Sequence, residues 1–135
     1  NAPPAPTLTL AGGYDLGTQI MWSANETRDN TPGTGNPGGD QTGKIYFVAI
    51  TAGANAPTAV NIDQDGVATW TMATGVGAKQ TGTIVISNPN GNSANPTFTP
   101  FTANGTFDIY AVFLGNTGNQ SAITAAPQLA GVVMN

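Results

Sequence analysis

Lys44-Ile45-Tyr46-Phe47-Val48-Ala49-Ile50 is the most strand-like stretch in this chain. Most of its residues are β-branched or aromatic, the types that suit a pleated surface. Its apolar side chains occupy consecutive positions, so a strand here has two buried faces. It is therefore expected to lie at the centre of a sheet. Other runs surround it at short spacing, each bounded by Gly, Pro, Asn or Asp. Thr7-Leu8-Thr9-Leu10 alternates. Leu16 to Trp22 carries Ile20-Met21-Trp22. Val67 to Met72 sets Ala68, Trp70 and Met72 against Val67, Thr69 and Thr71, the period of a half-buried strand. Thr81 to Ser87, Thr106 to Leu114 and Gln128 to Met134 complete about seven strands. Ala56-Pro57-Thr58-Ala59-Val60-Asn61-Ile62 reads as one helical turn with Pro57 at its start. Residues 88–100 read as a loop. The expected fold is all-β: a single antiparallel β-sandwich, residues 7–135, preceded by a Pro-rich arm or linker at 1–6.

The composition narrows the function. The 135 residues include three Lys or Arg and seven Asp or Glu, 7% charged against about 25% in an average domain. Thr, Ala, Gly and Asn dominate instead. His and Cys are absent, which removes triads of the Ser-His-Asp type, thiol chemistry, disulfides and the common zinc, haem and iron–sulfur ligand sets. Three cations cannot neutralise a row of phosphates, so no nucleic-acid partner is expected. No apolar run approaches the ~20 residues of a membrane helix. The sole Glu, Glu26, lies in a loop, so the pair of carboxylates a glycosidase needs is not in evidence and no enzyme is expected. The chain opens on Asn1 rather than Met, as expected of a processed chain or a piece of a longer one.

Several motifs are similar to fibronectin type III modules of bacterial surface and secreted proteins. Ile20-Met21-Trp22 resembles that family's second strand, where a Trp packs between sheets. Phe107-Asp108-Ile109-Tyr110-Ala111-Val112-Phe113, followed by Gly115-Asn116-Thr117-Gly118-Asn119-Gln120-Ser121, resembles the sixth strand and its hairpin. Gly43 to Ile50 with Ala56-Pro57-Thr58-Ala59 extends the likeness, which covers roughly 7–134. The resemblance implies an immunoglobulin-like sandwich and carries over no catalytic residues. Two departures stand out: Phe107 occupies the place of the family's corner Tyr, and the loop at 24–42 is much longer than usual.

Candidate sites follow from this frame. The 24–42 loop holds Glu26, Arg28, Asp29 and Asp40, four of the ten charges. In a fibronectin-like sandwich it would share one end with residues 115–120, including Asn116 and Asn119, as a recognition surface. Asn61-x-Asp63-x-Asp65-Gly66 mimics the first half of a calcium loop, but Met72 stands where the bidentate carboxylate belongs. The alternative is turn chemistry, with no cofactor expected beyond a weak calcium site completed by a distant oxygen. Trp22 and Trp70 suit core positions or a sugar-stacking platform, and Tyr14, Tyr46 and Tyr110 suit exposed tips. Asn25-Glu26-Thr27, Asn104-Gly105-Thr106 and Asn119-Gln120-Ser121 are sequons at a frequency expected by chance. A Lys–Asn isopeptide bond needs Lys44 or Lys79 beside a buried acid that the sequence does not reveal.

The thin charge coat lowers repulsion between copies. Thr7-Leu8-Thr9-Leu10, and Val132 and Val133 near the C-terminus, are the expected assembly edges. The leading expectation is a non-catalytic extracellular structural module, on a cell or virion surface, packed against copies of itself or another shell protein. It would be a subunit of a filament, adhesin or particle shell. The second is a ligand- or glycan-binding module using the 24–42 and 115–120 loops.

Overall fold

A computed structural model describes residues 5–10, 19–25, 42–86, 97–100, 104–116 and 118–134. Among these the chain is all-β, without a helix. The described residues form nine strands: β1 (Thr7–Leu10), β2 (Gln19–Asn25), β3 (Gly43–Thr51), β4 (Ala59–Ile62), β5 (Ala68–Thr71), β6 (Gln80–Ile86), β7 (Thr97–Pro100), β8 (Gly105–Gly115) and β9 (Leu129–Met134). They form three antiparallel sheets, in the orders β1-β2-β7, β6-β3-β8-β9 and β4-β5.

The strand that decides the sequence reading is central, as expected. β3 lies between β6 and β8, and Ile45 through Ile50 are all buried. Its register with β8 sets Ile45 opposite Phe113, Phe47 opposite Ala111 and Ala49 opposite Ile109. With Ile84, Ile86, Phe107, Val132, Met134 and Leu8 of β1, these make the larger core cluster. On the other face Val48, Ile50 and Tyr110 lie under Trp70, Met72, Val76, Ile123, Ala54 and Ala56. The β4–β5 hairpin therefore helps cover the second face, while β1 contributes to the first. Phe47 also pairs with Gly82 of β6, and a Cβ built on Gly82 would collide with the Phe47 ring. The missing side chain makes room for an aromatic on the neighbouring strand.

The outer edge of β8 is satisfied by three different devices, as buried backbone polar groups require. β9 pairs with it from Gly105 to Ile109. Beyond that the Gln128 side chain replaces a strand: its Oε1 accepts the Ala111 N–H at 2.9 Å and its Nε2 donates to the Ala111 carbonyl at 2.9 Å. Further along, the buried Ser121 Oγ accepts the Phe113 N–H at 2.9 Å, and Ser121 N–H donates to the Phe113 carbonyl. Between Phe107 and Ile109 the register shifts, leaving Ala130 and Gly131 opposite Asp108. Gly131 adopts φ of +66° there, a conformation that a side chain disfavours.

Three expectations need correction. Residues 56–62 contain no helical turn: Ala59–Ile62 is β4, paired with β5. The alternation of exposed Ala59 and Asn61 with half-buried Val60 and Ile62 is the period of a strand. Residues 97–100, read as part of a loop, form β7 against β2. Tyr46 and Tyr110 are not exposed tips, being 2% and 3% exposed, because consecutive burial along β3 and β8 includes them. The side chain of Trp22 and the whole of Tyr14 lie outside the described residues.

Candidate functional site

One set of described polar groups lies at the end of the four-stranded sheet where β3 begins and β8 finishes. Gly43 pairs with Gly115 there. Asn116 N–H donates to the Thr42 carbonyl at 3.1 Å, and Asn116 Nδ2 donates to Thr42 Oγ1 at 2.7 Å. Gly115 N–H closes a tight turn on the Asn119 carbonyl at 2.9 Å. The last residue of the 24–42 segment is thus fastened to the 115–120 turn. Glu26, Arg28, Asp29 and Asp40 lie outside the described residues.

The turn between β4 and β5 hangs over the same end. Asp63 Oδ1 accepts the N–H groups of Asp65 and Val67, each at 2.9 Å. The Asp63 carbonyl accepts the Gly66 N–H at 3.0 Å, and Gly66 has φ of +80°. One oxygen of Asp63 thus organises the turn, which is why an Asp begins it and a Gly ends it. Asn61 is exposed on β4 opposite Thr69, and Asp65 is exposed in the turn. No group of three or more metal-ligating His, Cys, Asp or Glu occurs among the described residues.

Between the turn and the sheet end runs an open cleft of about 290 Å³, lined by Lys44, Tyr46, Asp63, Asp65, Leu114 and Asn116 among others. A second cleft of about 380 Å³ continues past Lys44 and Asn116 to Val85 and Ile86. The Tyr46 hydroxyl and Lys44 Nζ lie 3.5 and 3.8 Å from the point where a Gly66 Cβ would stand. Burial pushes the Tyr46 phenol above its ordinary pKa, and the Asp63 carboxylate adds to the shift, so at neutral pH the hydroxyl is a donor. Lys44 is exposed and makes no ion pair among the described residues.

Other polar side chains are structural. Asp108 is 8% exposed. Its Oδ2 accepts the Gly53 N–H at 2.9 Å and its Oδ1 the Gly131 N–H at 3.1 Å, tying the bulge to the turn after β3. It is the one buried acid among the described residues, and it does not line the cleft beside Lys44. Trp70 is half-buried in the second cluster, and its Nε1 finds no hydrogen-bond partner among the described residues. Of the assembly-edge residues, Leu8 and Val132 are buried, Thr7 is exposed, and Val133 is 47% exposed. Sequence reasoning placed neither Lys44 nor Tyr46 in a cleft, because the opposite wall comes from the distant β4–β5 turn. No protein-family model, curated protein or solved structure matches this chain.

Proposed function

We propose that this chain is a fibronectin III/immunoglobulin-like β-sandwich module with a non-catalytic structural role. It acts outside the cell as a subunit of a surface filament, adhesin or particle shell. Leu8 of β1 in the core of the β6-β3-β8-β9 sheet, and the approach of β1 to β9 and of β2 and β7 to β6, support the sandwich.

The observation that carries the assembly role is the chemistry of the strands bounding the four-stranded sheet. β6 and β9 end the order β6-β3-β8-β9 and contain no charged residue and no Pro. Each nonetheless exposes a valine: Val85 at 52% and Val133 at 47%. Edge strands of proteins that stay apart are usually guarded by charge or Pro. β9 has a bulge at its start, but Val132–Met134 continue in register with Gly105–Phe107. A second copy or another shell protein would meet no desolvated charge along these strands. Light scattering over a concentration series, with electron microscopy of native material, tests this. Oligomers or fibres are expected, and Val133→Lys is expected to disperse them. A monomer at every concentration sinks the reading.

A second reading has one observation in its favour. The double hydrogen bond between Thr42 and Asn116 joins an end of the 24–42 segment to the 115–120 turn, as a shared ligand- or glycan-binding surface needs. Deleting residues 28–40 should then abolish ligand capture in a glycan screen while the fold survives.

A further inference from the structure

We propose that the cleft between the β4–β5 turn and the start of β3 binds the vicinal diol of a neutral sugar. Lys44, Tyr46, Asp63 and Asn116 supply its polar contacts. The site deepens the glycan reading but uses no residue of 24–41, so the two can fail separately. It is also independent of assembly through β6 and β9.

The groups in the cleft complement a polyol. The Lys44 ammonium and the Tyr46 hydroxyl both border the space beside Gly66, at 3.8 and 3.5 Å from the point where a Cβ would stand. The ammonium can only donate, while the phenol, which burial keeps protonated, can both donate and accept. Across from them stand carboxylates. Asp63 gives Oδ1 to two backbone N–H groups, yet a carboxylate has about four acceptor sites. A sugar hydroxyl both accepts and donates, so adjacent hydroxyls can bridge the two sets. Asn116 is anchored to Thr42 through its Nδ2, which fixes its amide at the cleft wall and leaves the carbonyl oxygen as a further acceptor. Ile62 and Leu114 add apolar surface for the C–H face of a ring.

Charge argues for a neutral ligand. One ammonium and two carboxylates face the cleft, so an anion meets Asp63 and Asp65 while a cation meets Lys44. A neutral polyol avoids both penalties. The volume of about 290 Å³ admits a single ring with its water.

The test is amide NMR of the full chain, titrated with methyl glycosides of glucose, galactose and mannose, and separately with calcium chloride. Saturable shifts are expected at Gly66, Gly115 and Asn116 with at least one glycoside, at millimolar affinity typical of small open sites. Lys44→Met should weaken binding about tenfold, the loss of one charge-assisted hydrogen bond. Tyr46→Phe should do so to a similar or lesser extent. An unchanged Phe113 amide in each variant shows that the core is intact. No saturable shift with any glycoside overturns the proposal, as does a response to calcium alone. Deletion of residues 28–40 should leave these shifts in place; losing them would transfer the site to that loop.

Discussion

The two faces of the β6-β3-β8-β9 sheet are built by the same strands, yet they are filled differently. One face carries Ile45, Phe47, Ile84, Ile86, Ile109, Phe113 and Met134, all almost wholly inaccessible. The other has Val48, Ile50 and Val112 as its aliphatic centre, flanked by Tyr46, Tyr110 and Asp108, and its cover is only partly buried. Alternation along β3 and β8 produces this division, since even and odd positions point to opposite sides. The comparison teaches where stability and polar chemistry reside. Large apolar groups packed without polar atoms hold the fold. Among the described residues, the buried tyrosines, the buried carboxylate and the Trp70 indole lie on the side where the β4–β5 hairpin and its loops can meet them.

Truncation should expose that difference most strongly. Phe113→Ala is expected to cost about 3–5 kcal/mol, combining lost transfer energy with a cavity in a site walled by rigid strands. Val48→Ala, at the centre of the second face, is expected to cost about 2 kcal/mol, since fewer carbon atoms are removed and the partly buried cover can settle. Urea unfolding with a common slope measures both. Equal losses would mean that the hairpin side packs as tightly as the first.

The next effect concerns the acid that breaks the apolar run of β8. Asp108→Ala should cost about 2 kcal/mol, because two charge-assisted backbone hydrogen bonds go at once. Gly53 and Gly131 are themselves exposed, so water can recover their N–H groups, which keeps the loss below that of Phe113→Ala. The amides of Gly53 and Gly131 should exchange faster, while that of Phe113, bonded to Ser121, should not. Uniform acceleration would show instead that the bulge is not a separate unit.

Asp108 also shows what the chain leaves legible. Consecutive apolar residues announce β3 and β8, and their central place follows from burial on two sides. β4 is hidden because four residues with one Asn carry too little pattern, and Pro57 nearby suggests a helix start. Its strand character comes from pairing with β5, a non-local term. β7, Thr97–Pro100, is similarly short and follows an Asn- and Pro-rich run. The turn role of Asp63 and Gly66 is readable from local chemistry. Lys44 and Tyr46 are harder to place, because what makes them cleft residues is the hairpin that folds over them. Gln128 completing β8 with a side-chain amide has no sequence signature.

The smallest effect is one of pH, and it too belongs to a single face. Burial raises the pKa of Tyr46 and Tyr110 above 10.0, with Asp63 adding to the first and Asp108 to the second. The folded state therefore holds these protons more tightly than the unfolded chain. Their contribution is fully present below the unfolded value near pH 10 and is lost as pH rises through the higher folded values. Stability should be flat in this respect at neutral pH and fall beyond pH 10. Tyr110→Phe keeps the ring and removes the ionisable group, so it should change stability little at pH 7 while making the alkaline fall shallower. Denaturant midpoints on both sides of pH 10 measure the slope. Phe113→Ala, on the opposite face, should lower the whole curve without changing its alkaline slope. If it alters that slope as much as Tyr110→Phe does, the faces are coupled more closely than their packing indicates.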